Sequence, residues 1–233
     1  MSSTEKTQKK KKKKHITNFY YDFVKVTAFL PIMFYLRPKN ICVGEKKPTK
    51  IKGAALISCN HLSFFDPVIL HGAFWRRRLH ILATKDLYNT KVKRWFFTRM
   101  HCIEVDKENF SMRSLHSVCD NLKEGKVVTI FPEGGVNRQN ANEMLTFKSG
   151  AALMAFQANS PIIPAYIIPR KHWYHRQIVL VGDPVNIREV CGERPSIAAL
   201  NKASEYLREK EMELMEHYNQ LCEQKKNKKK KDD

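Results

Sequence analysis

The sequence predicts an α/β domain built on a mixed, largely parallel sheet flanked by helices. From residue 54 onward, short apolar runs rich in β-branched residues alternate with segments of helical periodicity. That alternation is typical of parallel sheets, in which a helix carries the chain from one strand to the next. With 233 residues and 42% hydrophobic side chains, the chain is long enough for one domain with a sizeable core.

The individual elements follow from length, β-branched content and periodicity. The predicted strands are residues 54–59, 79–84, 102–105, 126–131, 162–168 and 177–182. The predicted helices are residues 66–74, 86–100, 111–124 and 148–158.

A last helix is predicted over residues 196–224. Its leucines recur every seven residues, but the positions three or four away from them are mostly polar: Leu200, Leu207, Leu214 and Leu221. A coiled coil needs apolar side chains at both positions of each heptad. We therefore expect this helix to pack through a single stripe on the domain that residues 41–195 form.

The N-terminal part combines a basic arm with an aromatic segment. Residues 1–15 contain an unbroken run of six lysines and are expected to be a disordered polybasic arm. Residues 16–40 are expected to be an amphipathic helical segment, bent at Pro31, that lies in a bilayer interface. Its apolar face would carry Phe19, Phe23, Val26 and Leu30. The alternative is a helix that packs on the body of the protein.

Charge narrows the class of partner. Lysine and arginine outnumber aspartate and glutamate by 42 to 23, a formal net charge of +19. Part of this excess lies in the arm and in residues 225–233, which are expected to be a disordered polybasic tail. The partner should be anionic: a phosphorylated small molecule, an acidic membrane surface or nucleic acid. Since no RNA- or DNA-binding motif occurs, nucleic acid is not expected.

Cysteine spacing and hydropathy indicate the cellular compartment in which the protein is expected. The six cysteines show no CxxC or Cys-His pattern, so we expect reduced thiols in a cytosol-facing protein and no metal site. The polar, lysine-rich N-terminus is unlike a signal peptide. No uninterrupted apolar run reaches the ~20 residues that a membrane-spanning helix needs.

The strongest candidate for chemistry is the block from Asn60 to Pro67. It places His61 five residues before Asp66, directly after a predicted strand. A carboxylate beside an imidazole fixes its tautomer and stabilises its cation, which suits a general base acting on a hydroxyl. Phe64 and Phe65 would give the site an apolar wall. The alternative is an ordinary loop histidine beside a helix-capping aspartate.

The second block is Phe131-Pro132-Glu133-Gly134-Gly135, which also follows a predicted strand. Its carboxylate can hold a substrate hydroxyl, and its two glycines can present backbone N–H groups to an anion. Arg138 and Lys148 lie close by in sequence and could meet a phosphate. The alternative is a plain turn with solvated charges.

These blocks, in their order along the chain, resemble the glycerolipid acyltransferases and, within them, the 1-acylglycerol-3-phosphate acyltransferase branch. The resemblance covers about residues 50–185. It rests on His61-x4-Asp66, Val105-Asp106-Lys107, Phe131-Pro132-Glu133-Gly134, Phe147-Lys148-x-Gly150-Ala151 and Pro161-Ile162-Ile163-Pro164.

The resemblance implies roles for single residues. It makes His61 the general base and Asp66 its orienting partner. Glu133 would position the acceptor, with Gly134 and Gly135 allowing close backbone approach. Lys107 stands where the family usually has an arginine that contacts the acceptor phosphate, and Lys85 matches a lysine of the same pocket. The family's threonine and arginine after Phe-Pro-Glu-Gly are replaced by Gly135 and Val136, so Arg138 is the next candidate for the phosphate.

The resemblance also implies partners. An acyl group would pass from acyl-CoA or acyl carrier protein, as co-substrate, to the hydroxyl of a lysophospholipid, without a metal or redox cofactor. The acyl transfer would take place at an anionic membrane surface, with the protein attached to the cytoplasmic face as a peripheral or monotopic membrane protein. A different lysolipid acceptor, or a catalytically silent lipid-binding relative, are the alternatives.

Overall fold

The fold is a seven-stranded sheet between two layers of helices, as expected. The computed structural model describes residues 18–44, 51–106, 112–137, 143–170 and 172–232; of these, the side chains of 225, 226 and 228–232 are not described. The strands are β1 Lys39–Cys42, β2 Ala55–Cys59, β3 Leu79–Thr84, β4 Ile103–Val105, β5 Val127–Ile130, β6 Ile162–Ile168 and β7 Ile178–Val181. Their spatial order is β1-β7-β6-β2-β5-β3-β4, and all neighbours run parallel except β6 and β7.

The helices cover both faces of this sheet. They are α1 Asn18–Leu36, α2 Asp66–Ala73, α3 Lys91–Arg99, α4 Met112–Lys123, α5 Gly150–Ala158, α6 Ile187–Cys191 and α7 Ile197–Asp232. One core joins the end of α1 and α2 to the sheet, and a second joins α4, α5, α6 and α7 to its other face.

Side-chain alternation along β2 shows how the two cores are separated. Ala55, Ile57 and Cys59 belong to the core under α1 and α2. Leu56 belongs to the opposite core, and the hydroxyl of Ser58 meets α7 on that same side. All five β2 residues are buried, as the central strand of a sheet covered on both faces requires.

Several elements differ from the sequence prediction. The helix predicted over residues 86–100 is a short 3₁₀ turn, Lys85–Tyr88, followed by α3. Thr90 separates them because its side chain accepts a hydrogen bond from the Lys93 N–H and so caps a new helix. The edge strand β1 and the one-turn helix α6 were not predicted, since each is short and half-polar.

The C-terminal helix is longer than predicted. It begins at Ile197 and runs to Asp232, so residues 225–232, expected to be disordered, are helical. Lysine is a good helix former and no glycine or proline interrupts the segment, whereas the prediction weighed only repulsion between like charges. Leu207 and Leu214 are buried as predicted, but so are the polar companions Ser204 and Glu211.

Helix α1 ends earlier than predicted. The segment predicted to reach residue 40 is helical only to Leu36, because β1 begins at Lys39. The irregularity expected at Pro31, which has no N–H to donate, takes the form of a π turn over Lys25–Phe29. Residues 1–15 lie outside the described residues.

One side of α1 packs on the body of the protein, which was the alternative interpretation, and membrane contact by the other side stays a prediction. Tyr21, Val24 and Phe29 are buried against the domain, whereas the predicted apolar face remains exposed: Phe19, Phe23, Val26 and Leu30. Contrary to the sequence expectation, Asn18–Leu36 is long and apolar enough to cross a membrane, with mean hydropathy 1.2 over a window that is 28% buried. That criterion concerns length and composition only.

Candidate active site

The candidate site lies where the parallel strands of the sheet end. The loops after β2, β3 and β5 leave the same edge because these three strands run parallel to one another. His61 follows β2 and Glu133 follows β5, so the two sequence blocks meet although 72 residues separate them. Ligand sites in α/β sheets lie at this edge.

His61 and Asp66 form the predicted pair. The imidazole Nδ1 lies 2.8 Å from Asp66 Oδ2, and the side chains are 17% and 1% exposed. The same oxygen accepts hydrogen bonds from the backbone N–H groups of Leu62 at 2.6 Å and Ser63 at 2.8 Å. Since this oxygen already accepts two backbone N–H groups, the tautomer that fits the geometry has its proton on Nδ1 and leaves Nε2 able to accept one.

The main chain of His61 is also fixed. Its N–H donates to Glu133 Oε1 at 3.1 Å, and its carbonyl accepts from the Asn137 N–H at 2.7 Å. Its ring stacks on Phe131 with centroids 4.1 Å apart and planes at 17°. The loop after β5 thereby fixes the orientation of the histidine.

Glu133 therefore lies beside His61, but its carboxylate contacts the protein. The residue is 7% exposed. Burial raises the pKa of its carboxyl, while hydrogen bonds from the backbones of His61 and Leu145 lower it. The residues on either side of it, Pro132 and Gly134, line the cavity described next, and Glu133 is not among the lining residues.

A cavity of about 960 Å³ opens beside the His61 ring. Most of its wall is apolar, and it reaches from the loop after β5 to α1, α2 and α3. Its lining includes Phe29, Val68, Ile81, Phe96, Phe97 and Met100. An alkyl chain would be desolvated along this wall, and its reacting end would meet the histidine.

The predicted phosphate-binding residues are placed unequally. Gly134 and Gly135 line the cavity. Lys85 is exposed at the carboxyl end of β3, where the neighbouring Thr84 and Leu87 line the cavity and Lys85 does not. Lys107 and Arg138 lie outside the described residues.

Lys148 is a cation that lies beside the Phe-Pro-Glu-Gly turn. Gly134 has φ +74°, and a Cβ atom there would lie 2.8 Å from Lys148 Cε and 3.0 Å from its Nζ. A glycine at this position gives the turn a left-handed residue and leaves room for the lysine side chain. Lys148 also lines the cavity.

Comparison with known proteins agrees with this arrangement. The profile of the acyltransferase family matches residues 40–168, more than half of the chain. The chain belongs to the acyltransferase family.

Relatives of this acyltransferase are named for one activity. It is 28% identical over 187 residues to 1-acyl-sn-glycerol-3-phosphate acyltransferase of Bacillus subtilis, covering 78% of this chain and 92% of the relative. A probable enzyme of the same name from Mycoplasma pneumoniae is 30% identical over 63% of this chain and 56% of its own length.

A solved structure confirms the fold of the acyltransferase. The 1-acyl-sn-glycerophosphate acyltransferase PlsC from Thermotoga maritima superimposes with a TM-score of 0.63. The match covers 88% of this chain and 83% of that one at 17% identity. The mixed, mostly parallel sheet flanked by helices is shared.

Two side chains near His61 are unsuited to act as nucleophiles. Cys59 is fully buried, and burial raises the pKa of its thiol well above its usual range, which disfavours the reactive thiolate. The Ser63 hydroxyl accepts a hydrogen bond from the Phe65 N–H and so serves the turn before α2. In the described residues, no group of three or more His, Cys, Asp or Glu side chains is arranged to hold a metal ion.

Sequence reasoning missed the residues behind the histidine. The Asn60 side chain donates to the Ile167 carbonyl at 3.2 Å and accepts from its N–H at 2.7 Å, which locks β2 to β6 one residue before His61. Ser58 donates to Glu211 of α7 at 2.5 Å, and burial raises the pKa of that glutamate well above its usual range. The asparagine directly before the histidine was the available signal for the first contact.

Proposed function

We propose that this acyltransferase moves a fatty acyl group from acyl-CoA or acyl carrier protein to the free hydroxyl of a lysophospholipid, foremost 1-acylglycerol-3-phosphate, yielding phosphatidic acid. The observation that carries the proposal is His61, braced by Asp66 and facing an apolar cavity. The names of the curated relatives supply the acceptor.

In the proposed mechanism His61 acts as general base. Its Nε2 takes the proton of the acceptor hydroxyl as that oxygen attacks the thioester carbonyl, and Asp66 stabilises the imidazolium. The tetrahedral intermediate collapses with loss of the thiolate, which the imidazolium protonates. The histidine is thus regenerated without a covalent acyl-enzyme. Acyl-CoA or acyl carrier protein is a co-substrate, and the scheme requires no metal or redox cofactor.

The binding roles follow from where the side chains lie. The apolar wall takes an alkyl chain, and Gly134 and Gly135 let the acceptor approach the backbone of the turn. The acceptor phosphate is assigned to Lys148, which lines the cavity, and to Lys85 at the carboxyl end of β3, while Lys107 and Arg138 are candidates from the sequence alone. A lysine gives a point charge instead of the bidentate fork of arginine, so recognition depends on several cations acting together.

The structure suggests a different task for Glu133 from the one implied by the resemblance. Its carboxylate accepts the His61 N–H, so we assign it to positioning the base rather than to contact with the acceptor. Asn60 supports the same loop from the β6 side.

The setting proposed for this reaction is the surface of an acidic membrane on its cytoplasmic face. The exposed side chains of α1 supply apolar contact, and the basic arm supplies charge. A peripheral or monotopic attachment fits the burial of one side of α1 against the domain.

The decisive experiment uses purified protein, labelled acyl-CoA or acyl carrier thioester, and a panel of lysophospholipids plus glycerol 3-phosphate, with products identified by mass. Phosphatidic acid should form from lysophosphatidic acid. His61→Ala should lower turnover by about 10²–10⁴-fold with the fold intact, whereas His116→Ala, an exposed histidine on α4, should not. Near-normal turnover in a folded His61→Ala protein would refute the base assignment.

The same assay separates the alternatives. A silent lipid-binding relative would bind lysolipid without consuming thioester. A hydrolase would consume thioester without an acceptor. A broader acyltransferase would acylate other lysolipids as fast as lysophosphatidic acid.

A further inference from the structure

The loop between β6 and β7 carries exposed aromatic side chains that the proposed reaction does not use. Trp173 and Tyr174 are 71% and 52% exposed, and at the end of α1 Phe34 and Tyr35 are 85% and 51% exposed. We call these four residues the aromatic edge patch. A cluster of apolar side chains exposed on the surface of a protein is typical of a site that contacts another protein or a membrane.

Contacts join the two halves of the patch into one surface. The Arg170 guanidinium lies 5.2 Å from the centre of the Tyr35 ring, and its Nη1 donates to the Trp173 carbonyl at 3.0 Å. Arg37, directly after α1, donates to the Tyr174 carbonyl. The backbone of the loop is therefore held against the end of α1 by both arginines, which places Trp173 and Tyr174 beside that helix.

The patch lies at the same edge of the sheet as the candidate site. Since β6 runs parallel to β2 and beside it, the loop after β6 leaves the edge that carries His61. The two are directly linked, because the Asn60 side chain is hydrogen-bonded to the backbone of Ile167, near the end of β6. A planar surface that contacts the patch would therefore lie on the side of the molecule where the base lies.

The surroundings of the patch are basic. Residues 31–40 and 169–178 contain no Asp or Glu. Their described cations are Arg37, Lys39, Arg170 and Arg176. Tryptophan and tyrosine beside arginine are typical of side chains at the headgroup depth of a bilayer, and the positive charge favours acidic lipids.

We propose that the aromatic edge patch enters the interface of an anionic bilayer as a second contact besides the predicted apolar face of α1. This contact sets the orientation in which the His61 edge faces the lipid. The inference rests on the proposed function only in that the acceptor is a membrane lipid; the contact itself is independent of turnover.

Fluorescence quenching tests the contact. Trp75, Trp95 and Trp173 are the three tryptophans of the chain, so a Trp75→Phe/Trp95→Phe variant reports on Trp173 alone. On vesicles of phosphatidylglycerol and brominated phosphatidylcholine, its emission should shift to the blue and be quenched. The control carries all three Trp→Phe changes and Ile197→Trp, at a 78% exposed site at the start of α7, the helix that packs on the face of the sheet opposite α1. That tryptophan should remain unquenched.

A second variant tests the energetic contribution. Trp173→Ser/Tyr174→Ser should lower affinity for these vesicles about tenfold, while Ile197→Ser should not. Trp173→Phe/Tyr174→Phe should keep most of the affinity. Acyl transfer to a detergent-dispersed acceptor should be equal in all three, because the patch contacts no group of the site.

The outcomes separate cleanly. Unquenched Trp173 in protein that co-sediments with vesicles would overturn the contact, as would unchanged affinity of the folded Ser/Ser variant. A shift of the lipid-free protein from dimer to monomer in that variant would assign the patch to a second copy instead. Loss of acyl transfer in every protein, with Trp173 still quenched, would refute the proposed function and leave the membrane contact standing.

Discussion

At the scale of single residues, the site depends on hydrogen bonds that leave the histidine one orientation. His61 is held by Asp66 through its ring, by Glu133 through its N–H and by Asn137 through its carbonyl. Each of these groups contacts His61, and none of the three lines the cavity. Preorganisation of this kind moves the energetic requirement from the reaction to the folding of the loops.

Glu133→Ala discriminates between positioning and acceptor binding. Truncation leaves the buried His61 N–H without its acceptor and frees the loop, so kcat should fall by about 10²-fold while KM for the acceptor changes little. Glu133→Gln, which keeps an acceptor oxygen, should recover part of the loss. Steady-state kinetics with varied lysophosphatidic acid measure both constants. A raised KM at unchanged kcat would show that the carboxylate binds the acceptor.

Local spacing predicted the contact between His61 and Asp66 but not the contacts that support it. His61 and Asp66 lie five residues apart, within one strand-to-helix loop, so the sequence alone indicated their contact. Asn60 with Ile167, and Ser58 with Glu211, are 107 and 153 residues apart. Those contacts depend on which strands become neighbours and in which register, and no local pattern encodes that pairing.

At the scale of elements, strands were predicted better than helix ends. The bounds predicted for β3 and β6 are those observed, because apolar β-branched runs flanked by polar residues have few alternatives. The break between the 3₁₀ turn and α3 depends on one capping hydrogen bond at Thr90. A half-polar segment such as β1 becomes a strand only because β7 offers it an edge.

The interface between α1 and α2 contains a buried histidine with consequences for pH. His71 contacts Tyr21 and Phe29 of α1. Burial lowers its pKa to about 4, opposed by a hydrogen bond to the Pro67 carbonyl. Burial also lowers the pKa of His80, to about 3. Both side chains are therefore neutral in the folded protein at pH 5 and protonated in the unfolded chain.

Acidification should thus weaken the fold. Between the unfolded pKa near 6.5 and the folded values, the unfolded chain binds protons that the native state excludes, so the free energy of unfolding falls as pH falls. From pH 7 to 5 each histidine should remove about 2 kcal/mol. Denaturant unfolding at the two pH values measures the difference. His71→Leu should make this difference in the free energy of unfolding smaller, and His116→Leu should leave it unchanged. A difference unchanged by His71→Leu would show that His71 does not cause the pH dependence.

At the scale of the whole molecule, features that favour a membrane converge on one side. The carboxyl edge of the sheet carries His61 and the β6–β7 loop, and α1 reaches this edge where Gln177 donates its N–H to the Leu36 carbonyl at 2.9 Å. The cavity lies between this edge and α1. The alkyl chain of a lipid acceptor could then pass from the bilayer directly to the apolar wall of the cavity. Little apolar surface would be exposed to water on the way.

Net charge should determine how strongly the molecule attaches to acidic lipid. Residues 1–15 hold seven lysines and one glutamate, six of the +19 net charges. Each lysine near an anionic surface contributes about 1 kcal/mol at low salt. Deleting residues 1–15 should therefore lower affinity for phosphatidylglycerol vesicles by about a hundredfold or more at low ionic strength. Because exposed charges are screened, the difference should shrink to a few-fold near 0.5 M salt.

Co-sedimentation over a salt series measures this effect. A full-length chain with residues 1–15 shuffled should bind like the natural one, since the attraction depends on charge and not on order. Replacing the lysines at 9–14 by glutamine should reproduce the deletion. Acyl transfer in detergent should be unchanged throughout. If the deletion variant bound acidic vesicles as tightly as the full chain, α1 and the body of the protein would suffice for attachment.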